Sequence, residues 1–305
     1  MRIITGLLVI QLSVGSSPAE SQPMWRGAVR SAGAGPVTWV LVSGLIGGVS
    51  GFRSLEDTLR RAGSRVVTID PYRLSIDSAD VTYEALARRV DAVLCALGVR
   101  HARLVGHSNG AGVALRMAAF APDRVDALYL LDAGALASNR GRVFGRSLSL
   151  VPVLARLPGG LGYIRRRMVE GVRENSGRSE WFDESAQRAY IEPMLDDIAR
   201  VVSMAIRLGN SKERDPLSVI VARVRAPVTV LLGDAPHPSE RGPAELDALT
   251  LLGARLEIVR LAAVGHFPHE EATAIVACHL THSAARASDA SIARAIVIST
   301  PCRLR

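Results

Sequence analysis

The pentapeptide Gly106-His107-Ser108-Asn109-Gly110 constrains this chain more than any other stretch. A short apolar run, Arg103-Leu104-Val105, leads into it, and a small-residue segment from Ala111 to Ala119 leads out. G-x-S-x-G between a buried strand and a helix marks a sharp strand-to-helix turn. The turn is too tight for side chains at its flanks, so glycine stands on both sides. It holds a hydroxyl clear of the backbone at the start of a helix. There the next amide N–H faces developing negative charge. Ser108 is therefore the candidate nucleophile.

The chain around this turn alternates strands with helices. Val37–Val42, Arg65–Asp70 and Asp126–Asp132 read as short apolar strands, and Val228–Leu232 and Leu256–Leu261 repeat the pattern later. Between the early strands lie a helix from Phe52 to Arg61 and an amphipathic one carrying Leu86, Val90, Val93, Leu94 and Leu97 on one face. Uninterrupted apolar strands spaced by helices imply an α/β protein, with a mostly parallel central sheet covered on both faces. Ligands then bind at the carboxyl ends of the strands, where Ser108 and the loop from Gly44 to Gly48 both lie.

Alternation fails between Ala133 and Arg225. Helical patterns around 143–157, 163–172 and 184–208 fill this region, and it reads as an inserted α-helical cap (133–225) on a core formed by 36–132 and 226–285. Its aromatic pair, Trp181-Phe182, is expected to contact substrate, with cap core as the alternative. Residues 286–305 read as a tail. Residues 1–35 read as a leader or a signal peptide, since Met1-Arg2 precedes a short apolar run and Ser17-Pro18-Ala19 could be a cleavage site. The expectation is a cytoplasmic protein, or a secreted one if residues 1–19 are cleaved. The leader's apolar run is too short to span a membrane, and no other segment reads as an integral membrane span.

A chain of 305 residues with 48% apolar content fills a sizeable core. The net charge of +8 comes almost wholly from scattered arginine, because Lys212 is the only lysine. No aromatic interleaving or zinc-finger spacing accompanies it, so the composition does not point to a nucleic-acid partner. Three distant cysteines, Cys95, Cys278 and Cys302, argue against a disulfide framework or a zinc site. Cys95 and Cys278 read as small buried hydrophobes.

From Pro36 to about His282 the chain resembles the α/β-hydrolase fold superfamily, as a serine hydrolase with a helical cap. The resemblance rests on the loop from Gly44 to Gly48, the turn at Asp70, the elbow at Ser108, the run Ala121-Pro122-Asp123-Arg124-Val125, and Gly265-His266-Phe267-Pro268, all in order. It implies His266 as general base, with His269 the alternative. His107 is given a structural or pocket role, and His101, His237, His279 and His282 read as surface histidines. The oxyanion hole is implied at the backbone amides of Leu45 and Asn109. Members often begin that loop His-Gly; here Ser43 replaces the histidine and is expected to hydrogen-bond locally. The acid departs from the usual pattern, because its expected position is Pro236. Asp234 is taken as the acid and Asp132 as the alternative.

The reaction so implied is acyl transfer to Ser108 from an ester-like carbonyl of a small or medium apolar substrate, with no metal or organic cofactor. A non-hydrolytic small-ligand binder is the alternative from another class. A thioesterase or C–C bond hydrolase would use the same residues. Oligomeric state is left open.

Overall fold

A computed structural model describes residues 25, 27–75, 79–133, 136–137, 148–239, 243–286 and 297–298. Its spine is one sheet of β1 (Val29–Ala32), β2 (Thr38–Val42), β3 (Arg65–Ile69), β4 (Ala102–His107), β5 (Val125–Leu131), β6 (Val228–Gly233), β7 (Leu256–Leu261) and a two-residue β8 (Val297–Ile298). The spatial order is β1-β3-β2-β4-β5-β6-β7-β8. Only β1 runs antiparallel, pairing Val29 with Ile69 and Ala32 with Val66. Every other pairing is parallel. The strand β1 lies inside the segment expected to be leader, so the sheet begins before Pro36. Residues 1–24, which hold the proposed signal peptide, lie outside the described residues.

Period-two alternation divides the strands' apolar side chains between two faces. Val40, Val42, Val67, Leu104, Leu128 and Val230 pack on one face. There they meet α2 (Tyr83–Ala96), α3 (Asn109–Phe120) and α8 (Leu217–Arg223). Trp39, Leu41, Val66, Val105, Tyr129 and Leu231 pack on the other, against α1 (Arg53–Arg61) and α11 (Thr273–Arg286). Each such side chain contributes about 1.5–3 kcal/mol on burial. The fold is thus a three-layer α/β sandwich, as the strand pattern implies.

Between β5 and β6 the described residues hold helices and loops alone: α4 (Val151–Leu154), α5 (Gly160–Glu174), α6 (Glu184–Leu195) and α7 (Ile198–Asn210), then α8. The helix expected over 184–208 is split near Asp196, and Asp183 caps its first half by accepting from the Ala186 N–H at 2.7 Å. Two cysteine readings need correction. Cys95 is exposed on the solvent side of α2. Cys278 is fully buried, as expected, but is disulfide-bonded.

The insertion is tied to the elbow helix by a buried ion pair. Arg116 on α3 and Glu213, just after α7, meet at 3.1 Å with side chains 2% and 7% exposed. Glu213 also accepts from the N–H groups of Tyr83 at 2.7 Å and Glu84 at 3.3 Å, at the start of α2. One carboxylate thus neutralises a buried cation and caps a helix. Glu213→Ala leaves both unpaired, and we expect it to cost about 3–5 kcal/mol of stability in urea unfolding. A loss under 1 kcal/mol would mean that the pair is dispensable.

Candidate active site

The end of β4 turns into α3 at Ser108, whose φ of 53° and ψ of −126° lie in a region few residues other than glycine adopt. The flanking Gly110 explains why the turn holds. A Cβ there would lie 2.4 Å from the carbonyl oxygens of Val42 and Ser43, so any side chain would push β2 off the elbow. Ser108 occupies the N-cap of α3, yet its hydroxyl makes no capping bond. It is available instead to His266, whose Nε2 lies 3.0 Å from Ser108 Oγ.

His266 follows β7 on a loop held from several sides. Its N–H donates to the Asn175 carbonyl oxygen at 2.7 Å. The Glu271 carboxylate accepts from Gly265 N–H at 3.0 Å and Phe267 N–H at 3.1 Å, bracketing the histidine. The same carboxylate accepts from Gly177 and Arg178, so a turn of the insertion braces this loop. Gly265 permits the approach: a Cβ there would sit 2.4 Å from Gly177 N.

The other ring nitrogen, Nδ1, hydrogen-bonds Asp132 Oδ2. Asp132 ends β5, where a φ of 36° turns the chain, and it is 4% exposed. Burial pushes its carboxyl up, but the neighbouring imidazoles of His266 and His237 outweigh burial and hold it below 3.8. The acid contact expected of Asp234 is therefore corrected. Asp234 is exposed, and its Oδ1 accepts from Ala263 N–H at 2.5 Å, closing the turn before Gly265. A shift of two residues does not bring that carboxylate round to the imidazole, whereas the end of the neighbouring strand does reach it.

Among the described residues, neither the Leu45 nor the Asn109 N–H donates to an acceptor. Asn109 is the first residue of α3, where N–H groups have no intrahelical partner. Both residues line the cavity at Ser108, where an oxyanion would form. Ser43 is buried, but its hydroxyl finds no partner among the described residues, against the expected local bond.

The remaining histidines separate sharply. His101 is exposed and pairs with Asp126, as expected of a surface residue. His107 is buried, its Nε2 2.7 Å from the His266 carbonyl oxygen, and burial pushes it well below 6.5. His269, the alternative base, does not reach Ser108. It stacks on His107 at 4.2 Å between ring centroids, and burial pushes it down to about 3. His237 is not a surface residue: its side chain is 1% exposed and its Nε2 lies 3.5 Å from Asp132 Oδ2. Pro236-His237-Pro238 carries no motif in sequence, and only the fold brings it to Asp132.

Asp132, His237 and His266 offer donor atoms within 4.8 Å of one another, close enough in principle for a metal ion. His266 Nδ1 is shared with the Asp132 carboxylate in a hydrogen bond, so a metal ion there would compete with that bond. The cluster as built is a hydrogen-bonding one.

A cavity of about 350 Å³ opens on Ser108. Its apolar wall is Leu45, Ile46, Met168, Val172, Ile191 and Phe267, so α5 and α6 of the insertion face Ser108. Trp181 and Phe182 do not line it. Phe182 is 2% exposed, and both pack with Tyr190 and Phe267 behind the wall, so the pair forms insertion core rather than substrate contact. Tyr190 seals this region by donating to the Gly51 carbonyl oxygen at 2.7 Å.

The comparisons with known proteins agree with this fold. A family model described as the alpha/beta hydrolase fold matches residues 39–156. The mouse sn-1-specific diacylglycerol lipase ABHD11 is 34% identical over 109 residues, which are 35% of this chain and 36% of that protein. The matched segment thus spans about a third of that relative. A bacterial membrane phospholipase A superposes with a TM-score of 0.67 at 20% identity, covering 86% of this chain and 83% of the other. An esterase from Thermogutta terrifontis gives a TM-score of 0.64 at 19% identity, covering 85% and 93%. The chain has the α/β-hydrolase fold, and its residues 39–156 match that family. No helix among the described residues is long and apolar enough to cross a membrane.

The buried imidazoles carry a pH signature. His269 is held at about 3 against an ordinary 6.5. Between those values the unfolded chain binds a proton that the folded chain refuses. Stability present above pH 6.5 is therefore lost progressively as pH falls, and His107 acts in the same direction. At pH 5 the His269 share is about 2 kcal/mol. In urea unfolding at pH 7 and pH 5, His269→Phe should lose about that much less than the parent over the same interval. Equal losses in the two proteins would refute this assignment.

Proposed function

We propose that this protein is a serine hydrolase that cleaves an ester-like carbonyl of a small or medium apolar substrate through an acyl-enzyme. The observation that carries this reading is the placement of His266. One ring nitrogen is 3.0 Å from Ser108 Oγ and the other bonds a buried carboxylate. That arrangement is what a hydroxyl needs to become a nucleophile.

Each step follows from a named group. His266 Nε2 takes the Ser108 proton as Oγ attacks the carbonyl carbon. Asp132 holds the ring in the tautomer with hydrogen on Nδ1 and stabilises the imidazolium that forms. The Leu45 and Asn109 N–H groups receive the oxyanion, aided by the N-terminus of α3. The tetrahedral species collapses, and the leaving alcohol takes the proton from His266. Water, deprotonated by the same nitrogen, then releases the acid and restores Ser108.

The apolar wall built by Met168, Val172 and Ile191 supports an aliphatic or aromatic acyl group. The insertion acts as the cap that sets its length. The similar diacylglycerol lipase ABHD11 is named for ester cleavage, which favours an ester over a thioester or C–C bond. Two features speak for a non-hydrolytic binder, the irregular acid loop and Ser43 in place of the loop histidine. Asp132 fills the gap at the acid, and the intact chain of contacts favours hydrolysis.

With a panel of nitrophenyl esters, Ser108→Ala and Asp132→Asn should each lose on the order of 10³-fold or more in kcat, while Asp234→Asn stays within a few-fold. A fluorophosphonate probe should label the wild type but not Ser108→Ala. Retained activity in Ser108→Ala, or equal losses in the two aspartate variants, would defeat the assignment. Cavity wall and insertion core are separable in the same panel. Val172→Phe should shift preference to shorter acyl chains, whereas Trp181→Ala should lower Tm without changing the profile. The reverse pattern would move the substrate contacts to Trp181.

A further inference from the structure

His237 lies in the loop after β6, beside the position where the superfamily resemblance placed an acid. Instead of a carboxylate, the loop brings an imidazole to the carboxylate of the neighbouring strand. His237 Nε2 is 3.5 Å from Asp132 Oδ2, and its ring centroid is 5.5 Å from that of His266. Both its ring nitrogens are buried and lack hydrogen-bond partners among the described residues. Nε2 thus stands at the outer limit of a hydrogen bond and without the alignment of one. Buried unpaired polar groups are costly and uncommon.

The loop is built to hold that ring in place. Pro236 and Pro238 flank it, so the first fixes its own φ and the second restricts His237 to extended backbone. Ala235 N–H donates to the Val264 carbonyl oxygen at 3.0 Å on one side. Ser239 N–H donates to Asn175 Oδ1 at 3.0 Å on the other. An imidazole pinned on both sides, buried, unpaired and facing a single carboxylate has one acceptor to serve.

We propose that His237 is a positioning residue of the Ser108 centre: its Nε2–H donates to Asp132 Oδ2, keeping that carboxylate ionised and aligned on His266 Nδ1. The bond shortens in the reacting complex, as catalytic hydrogen bonds that are long in the free enzyme commonly do. This rests on the serine-hydrolase reading above. His237 completes the shell that an acid at the end of β5 otherwise lacks. Such an acid is buried, and His266 alone leaves its acceptor capacity partly unused. The titratable groups facing Asp132 are His266 and His237, with His269 beyond them; His107 faces His266 at 4.9 Å between ring centroids.

The sign of the pH effect follows. Without the His237 donor, Asp132 binds a proton more readily, and when ionised it holds a proton on His266 more tightly. Both effects disable the general base at higher pH. The acid limb of the kcat/KM profile therefore moves to higher pH.

The test compares wild type, His237→Phe, which keeps a ring and removes the donor, and His237→Gln, which restores an N–H. For a short nitrophenyl ester, kcat in the Phe variant should fall about ten- to hundredfold, the span of one lost hydrogen bond to a charged group. KM should stay within twofold, the acid limb should move up, and Gln should recover most of the loss. The far-downfield proton resonance of His266 Nδ1–H, which needs no turnover, should shift in Phe and return in Gln. If the Phe variant fails to fold, wild type against Gln and His237→Ala decides by the same readouts. Wild-type kcat, pH profile and resonance in Phe or Ala would overturn the proposal, as would a Gln variant no better than either. If wild type is neither labelled by fluorophosphonate nor active on any ester, the hydrolase reading fails. The resonance then still decides whether His237 positions Asp132.

Discussion

The hydrogen bond between Asp132 and His266 is the contact on which the rest of the site depends. It joins the end of β5 to the loop after β7, across the intervening β6, so it exists only once the sheet has its full register. A carboxylate 4% exposed is expensive unless it is paired. The chain meets that cost by bracing the partner. Glu271 and Asn175 hold the backbone on both sides of His266, and Asn175 belongs to the insertion, not to the sheet. The insertion is therefore part of what holds the imidazole at its working distance from Ser108, as well as a wall of the cavity.

The same coupling appears on the opposite side of the nucleophile. Arg116 lies one helical face away from the elbow and reaches Glu213 at the end of α7. Tyr190 on α6 reaches the Gly51 carbonyl oxygen beside the loop that starts at Gly44. The two insertion helices that face the cavity are thus tied to the core, α6 through Tyr190 and α5 through Asn175 at its end. Motions of the insertion would be felt at Ser108 through these buried contacts.

The parts legible in the sequence are those whose signal is local. Ser108 is announced by two glycines within two residues, and the strands by unbroken Val, Ile and Leu runs. His266 follows its strand closely enough for the order of motifs to place it. The parts that were not legible are set by register between segments distant in sequence. Asp132 and Asp234 both follow apolar strands, and nothing in either neighbourhood says which carboxylate meets the imidazole. The exposed alignment of Asp234 with Ala263 N–H decides it. Val29–Ala32 escaped notice because Val-Arg-Ser-Ala has neither an apolar run nor alternation, and it pairs only at the edge of the sheet. The sequence leaves Trp181 and Phe182 between substrate contact and cap core, because aromatics in a cap can face either way. Their packing on Tyr190 and Phe267 turns them inward.

Four imidazoles lie near one another here, and their environments divide the labour. His107 and His269 are buried against each other and against Phe52, with burial and the neighbouring imidazoles both opposing a positive charge. They form a neutral, close-packed floor that, in the proposed mechanism, does not compete for the Ser108 proton. His237 approaches the Asp132 carboxylate from the far side and has no contact with Ser108 among the described residues. Only His266 combines a carboxylate on one nitrogen with the serine hydroxyl on the other. On the proposed mechanism, the proton released by Ser108 has one acceptor whose positive charge is compensated. The low-dielectric floor beneath it strengthens that compensation rather than screening it. In the proposed mechanism, which of four chemically identical side chains serves as general base is decided by where the sheet places one carboxylate.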